Sequence, residues 1–102
     1  MLIVAGSITI DPASRERVAV IAAAMMKATS AEPANLEYVF SFDAADPGSM
    51  QVFELWESEE GLSAHFATPH MAEFRTALGE IGTRGMAVAK YQVSSSGPVF
   101  GD

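Results

Sequence analysis

The chain has 102 residues, 49% of them hydrophobic and 19% charged, with a net charge of -7 and no cysteine. That length fits one compact domain, the acidic balance disfavours nucleic acid and anionic membrane surfaces as partners, and the lack of Cys excludes disulfides, thiolate nucleophiles, iron–sulfur clusters and Cys-ligated zinc. The apolar fraction is high for a small monomer, so part of the surface is expected to be buried against another chain.

The opening run "MLIVAGSITI" is apolar but short, and no basic residue precedes it. It has neither the charged leader of a secretory signal nor the length of a membrane span, so it predicts a first strand, Leu2 to Ile10, and a cytoplasmic protein. Asp11 is a natural N-cap, and Pro12 suits the first helical position, where its missing N–H costs nothing. From Ala13 to Thr29 apolar residues recur at helical spacing: Val18, Ile21, Met25 and Ala28, with Ala22 and Met26 beside them. "SAEPAN" ends this helix because Pro33 cannot continue it.

A second strand, Leu36 to Phe42, places Tyr38, Phe40 and Phe42 on one face. Asp46-Pro47-Gly48 then supplies the turn to a third, Met50 to Glu57. Ser58 caps a short helix, Glu59 to Ala67, whose first-turn acids suit the positive end of the dipole. Pro69 interrupts it, and Thr68 caps a second segment carrying Met71, Phe74, Ala77, Leu78 and Ile81. Gly79, Gly82 and Gly85 are expected to end that segment. Met86 to Val93 reads as a fourth strand. Residues 1–94 thus form one domain, and 95–102 a tail whose Val99 and Phe100 are apolar enough to dock on a partner subunit.

The order βαββαβ predicts a ferredoxin-like α+β sandwich, a mostly antiparallel sheet with helices on one face. Alternation along the third strand sends Met50, Val52, Glu54 and Trp56 one way and Gln51, Phe53, Leu55 and Glu57 the other. Large apolar groups therefore stand on both faces, where a one-layer sheet should show a polar one. A homodimer closing through the second sheet face, as a dimeric α+β barrel, is the expected remedy.

The chemistry-bearing residues are few. His65 and His70 stand five apart, not at the i, i+4 spacing that puts two ligands on one helical face, and no third ligand is evident, so no metal site is expected. His65 lies at the border of a face marked by Leu62, Phe66 and Met71, from which an imidazole could look into a pocket and move a proton. Glu54, between Val52 and Trp56, must be paired if buried, with His65, His70 or Arg75 as the available partners. Tyr38, Phe40, Met25 and the other methionines suggest an adaptable apolar interior suited to a flat aromatic ligand. GxGxxG, phosphate-loop and GxSxG motifs are absent, and no cofactor is called for.

The stretch "LEYVFSFDAADPGSMQVFELWESEEGLSAHFATPHMAEF" resembles the core of the antibiotic biosynthesis monooxygenase family. The resemblance rests on Glu37-Tyr38, Asp46-Pro47, Glu54-Leu55-Trp56, Glu59-Glu60 and the run from His65 to His70. It implies a homodimer with a pocket in each subunit and, as in some members, oxidation of a phenol or quinol by O₂ without metal or flavin. By that analogy His65, Trp56 and Tyr38 face the substrate as catalytic residues, supported by Glu54, His70, Phe40, Met25 and Phe66. Haem-degrading relatives use an Asn, a Trp and a His at positions that fall near Gly6 or Ser7, His65 and Arg75, so that activity is not implied. The resemblance leaves two alternatives, a non-catalytic binding or stress-response dimer and a small-sugar isomerase. The scattered basic residues offer little to the phosphate that an isomerase of this kind would hold.

Overall fold

The computed structural model describes residues 1–101. Strands β1 (Leu2–Thr9), β2 (Asn35–Phe42), β3 (Ser49–Trp56) and β4 (Gly85–Gln92) form one sheet in the order β2-β3-β1-β4, with every neighbouring pair antiparallel. Helix α1 (Arg15–Thr29) joins β1 to β2, and helices α2 (Glu59–Phe66) and α3 (Pro69–Ile81) join β3 to β4. This is the ferredoxin-like sandwich that the element order predicts.

The caps act where the sequence places them, with small shifts. Asp11 accepts the backbone N–H of Ala13 at 2.9 Å, closing a 3-10 turn over Pro12–Ser14 before α1 begins. The helix therefore starts two residues later than its periodicity suggests, and Val18, Ala22, Met25 and Thr29 form its buried stripe. Ser58 accepts from Gly61 N–H, and Thr68 accepts from Met71 N–H while its hydroxyl donates to the His65 carbonyl. Gly79 does not end α3. It sits exposed within the helix, where a missing side chain weakens the segment without breaking it. The helix stops at Gly82, whose φ of 95° a side chain would strain.

The inner face of the sheet carries the core. Leu2, Val4 and Ile8, Tyr38 and Phe40, and Met50, Val52 and Trp56 are buried with Val18, Ala22 and Met25 of α1, Leu62 of α2, and Phe74 and Leu78 of α3. Gly6 lets β4 approach, since a Cβ there would strike the backbone of Ala87 and Val88. The outer face is also apolar. Ile3 stands opposite Leu55 and Tyr91, Ala5 opposite Phe53 and Ala89, and Phe53 opposite Val39. Among the described residues no helix covers this side, and Val39, Phe53 and Tyr91 are exposed. The inner side of β4 is open too, with Met86 62% exposed. Among the described residues no helix is long and apolar enough to cross a membrane.

Candidate active site

A cavity of about 520 Å³ lies between the inner sheet face and helices α2 and α3. Its floor is Val4, Ile8, Phe40 and Val52, and its roof is Leu62, Phe66, Met71, Phe74 and Leu78. Phe40 and Phe74 stack across it at 5.3 Å between ring centroids, which ties β2 to α3. β4 contributes Met86, Val88 and Lys90.

Polar groups enter this apolar space at a few points. Glu54 is the deep one: it is buried, and its Oε1 accepts the indole N–H of Trp56 at 2.9 Å. The two residues are neighbours on one strand face, so the bond needs no long-range packing to form. Among the described residues Glu54 is bonded to Trp56, not to His65, His70 or Arg75. Burial pushes its carboxyl up to about 7; the Trp56 N–H opposes that rise and the Glu32 carboxylate adds to it. Tyr38 also lines the cavity, and burial, followed by the Glu54 and Glu32 carboxylates, holds its phenol protonated far above the usual range. At the outer part stand Arg75, whose guanidinium lies 5.8 Å from the Phe66 ring centroid, and Glu59, which pairs with Lys90 at 2.8 Å.

Behind this wall is a second layer. Trp56 is 0% and His65 1% exposed, and neither borders the cavity. Their rings pack at 4.8 Å between centroids, and Tyr38 meets both edge-on, 6.5 Å from Trp56 and 5.4 Å from His65. Behind them, Glu32 Oε2 lies within hydrogen-bond distance of His65 Nδ1 at 2.8 Å and of His70 Nε2 at 2.7 Å. The five-residue spacing would splay two histidines apart on a continuous helix. The break at Thr68-Pro69 swings His70 onto a new axis and lets both reach one oxygen. Sequence reading missed Glu32 altogether: it lies in the turn after α1, thirty-three residues from His65 in the chain.

Of the residues expected at the site, Tyr38, Glu54, Phe40 and Phe66 line the cavity. Trp56 and His65 stand behind it, and His70 lies beyond them on Glu32. Met25 faces a separate shallow groove between α1 and α3, because its place on the buried stripe of α1 aims it at α3. The third candidate ligand that the sequence did not reveal is Glu32: it, His65 and His70 bring three potential ligand atoms within 4.8 Å of one another.

Residues 1–77 match the family of antibiotic biosynthesis monooxygenases, and the Rv0793 protein of Mycobacterium tuberculosis is 32% identical over 77 residues, 76% of this chain and 75% of the relative. The chain belongs to this family. Solved structures agree in fold: a family protein of Deinococcus radiodurans superimposes with a TM-score of 0.91 at 21% identity, over 99% of this chain and 100% of that one. Rv0793 itself gives 0.85 at 26% identity, covering 95% and 98%. A third, from Nitrosomonas europaea, gives 0.86 at 16%, covering 93% and 100%. In this family member Glu54 makes the deep end of the cavity and Trp56 stands behind it. The stretch from His65 to His70 builds the layer behind it.

Proposed function

We propose that the protein is a monooxygenase of the cofactor-independent kind, acting on an aromatic or quinol-type small molecule bound in the cavity. The observation that carries this reading is the buried Glu54 carboxyl at the deep end of the cavity, held by Trp56 and raised toward neutrality by burial. A carboxylate so placed is matched to take a phenolic proton at neutral pH. The deprotonated ring is electron-rich and can itself reduce O₂, so the protein supplies deprotonation, shape and a dry site. For a hydroquinone the balance is quinol plus O₂ to hydroxyquinone plus water: one oxygen atom enters the ring and the other leaves as water. In this scheme Glu54 accepts the proton and the protonated Tyr38 lines the cavity beside it. Trp56 orients Glu54, and His65 packs the Trp56 ring in place. Monooxygenase naming among relatives, that of Rv0793 included, supports the reaction class.

We further infer that the protein acts as a cytoplasmic homodimer joined through the outer sheet face, which supports the reading by its run from Ile3 and Tyr91 across Phe53 to Val39. The tail docks on the partner subunit. Its Val99 and Phe100 are each 90% exposed here, and its last residue, Asp102, lies outside the described residues. The test is O₂ uptake with a panel of hydroquinones and polycyclic phenols in chelator-treated buffer. Turnover that falls at least a hundredfold in Glu54→Gln supports the assignment. Ligand-induced thermal stabilisation without product in the wild type would mark a binding protein instead.

A further inference from the structure

The carboxylate–histidine cluster behind the cavity has a feature that hydrogen bonding alone leaves unexplained. Glu32 comes from the turn after α1, His65 from the last turn of α2, and His70 from the first turn of α3. Both ring nitrogens that face Glu32 lie within 2.8 Å of the same oxygen, so in a purely hydrogen-bonded cluster each must carry a proton. For a neutral His65 that leaves Nε2 as a bare lone pair. Nε2 is fully buried and, among the described residues, has no hydrogen-bond partner, in a ring flanked by Trp56, Tyr38 and Phe66 at 4.8, 5.4 and 5.8 Å between centroids. An unpaired acceptor among aromatic faces is unfavourable, whereas an N–H there can rest against a π-face. The tautomer that suits the buried half of the ring is therefore the one with the proton on Nε2, which turns a free lone pair on Nδ1 toward Glu32 and His70.

We propose that Glu32, His65 and His70 form a binding site for a divalent transition cation of the zinc type. Two imidazoles and one carboxylate are a donor set that zinc accepts, with a water as fourth ligand. Around a tetrahedral ion the donor atoms would stand about 3.3 Å apart, given metal–ligand lengths of roughly 2.0–2.2 Å. The present separations from Glu32 Oε2 are 2.7 and 2.8 Å and all three donor atoms lie within 4.8 Å of one another, so an ion would be seated by a small retreat of the carboxylate, which sits in a turn rather than in a helix, and an approach of the two imidazoles. His70 is partly exposed, with a quarter of its side chain open, and gives the ion a route in. The three ligands do not border the cavity, so the ion is structural: it fastens the α1–β2 turn to the joint between α2 and α3. This assignment is independent of the oxidative reading above.

The test uses the full-length, tag-free protein stripped with a chelator. Titration with Co²⁺ should give the visible d–d bands of a four-coordinate nitrogen–oxygen site, and Zn²⁺ should displace it stoichiometrically with a dissociation constant in the micromolar range or below. Zn²⁺ should also raise the melting temperature. Glu32→Gln and His70→Ala, both at partly exposed positions, should each weaken Zn²⁺ binding at least a hundredfold while the far-ultraviolet circular dichroism stays that of the wild type. The proposal is overturned if the wild type shows no Co²⁺ bands and no Zn²⁺-dependent melting shift at tens of micromolar metal. It is equally overturned if both variants bind as the wild type does. A ring ¹⁵N spectrum of metal-treated protein with both His65 nitrogens still protonated would overturn it too, since an imidazolium paired with Glu32 is the competing account.

Discussion

Glu54 and Glu32 are the same side chain placed on opposite sides of one aromatic layer. Glu54 faces an apolar cavity and has one donor, the Trp56 indole. Glu32 lies outside the layer and draws two histidine nitrogens onto a single oxygen. Burial with a single donor leaves a carboxyl poised to exchange its proton, while contact with two imidazoles makes the other an anchor between elements. Position relative to Trp56, Tyr38 and His65, rather than residue type, separates a group that can react from one that holds the frame.

The contrast can be broken most severely at Glu54. Glu54→Gln keeps an acceptor for Trp56 but cannot take a proton, so turnover of a competent quinol should fall about 10²- to 10⁴-fold. Loss confined to a few-fold in steady-state O₂ uptake would remove Glu54 from the chemistry. Next in size is Glu32→Gln, which disrupts two bonds to a nearly buried pair. In chelator-treated protein, urea unfolding should show a loss of about 1–3 kcal/mol, and a stability equal to wild type would deny Glu32 its anchoring role.

The same two residues should differ in pH dependence. The Glu54 carboxyl is raised from 4.5 to about 7 on folding, so the folded state holds a proton that the unfolded state has released. Wild-type stability should therefore decline as pH rises through that interval, the contribution being present at the acid end and gone above the folded value. Glu54→Gln does not titrate, and its advantage over wild type should grow between about pH 5 and pH 8, by on the order of 1–3 kcal/mol. Equal urea midpoints for the two proteins at both pH values would contradict the burial of a titrating group. A milder probe is Trp56→Phe. Removing the indole donor should shift the acid limb of the pH–rate profile upward, because that bond opposes the rise. Smallest of all, Thr68→Ala should cost about 1 kcal/mol as a lost N-cap, measured by thermal unfolding, and should weaken the joint that brings the two histidines together.

Local pattern carried much of this into the sequence. Strand alternation put Glu54 and Trp56 on the inner face and marked the apolar outer face, because a period of two is written in adjacent letters. Ser58, Thr68 and Pro69 marked the two-part helix by cap chemistry alone. Glu32 could not be read this way. Its partners are distant in sequence, and its own neighbourhood, a helix stop before Pro33, has an adequate local explanation. The placing of Trp56 and His65 behind the cavity was hidden for a related reason: alternation says which face a side chain takes, but not whether another side chain stands in front of it. Met25 shows the same limit, since helical spacing names its stripe but not the neighbour that the stripe meets.

Trp56 is the only tryptophan of the chain. Its indole N–H touches the carboxyl at the cavity and its ring face touches the imidazole of the cluster behind. The molecule thus carries one indole fluorophore in contact with both regions. Ionisation of Glu54 changes the field along the indole, and a change at the imidazole packed on its ring alters the quenching of its emission. Intrinsic fluorescence, with no label added, should report events in either compartment, and the wavelength shift and the intensity should tell them apart.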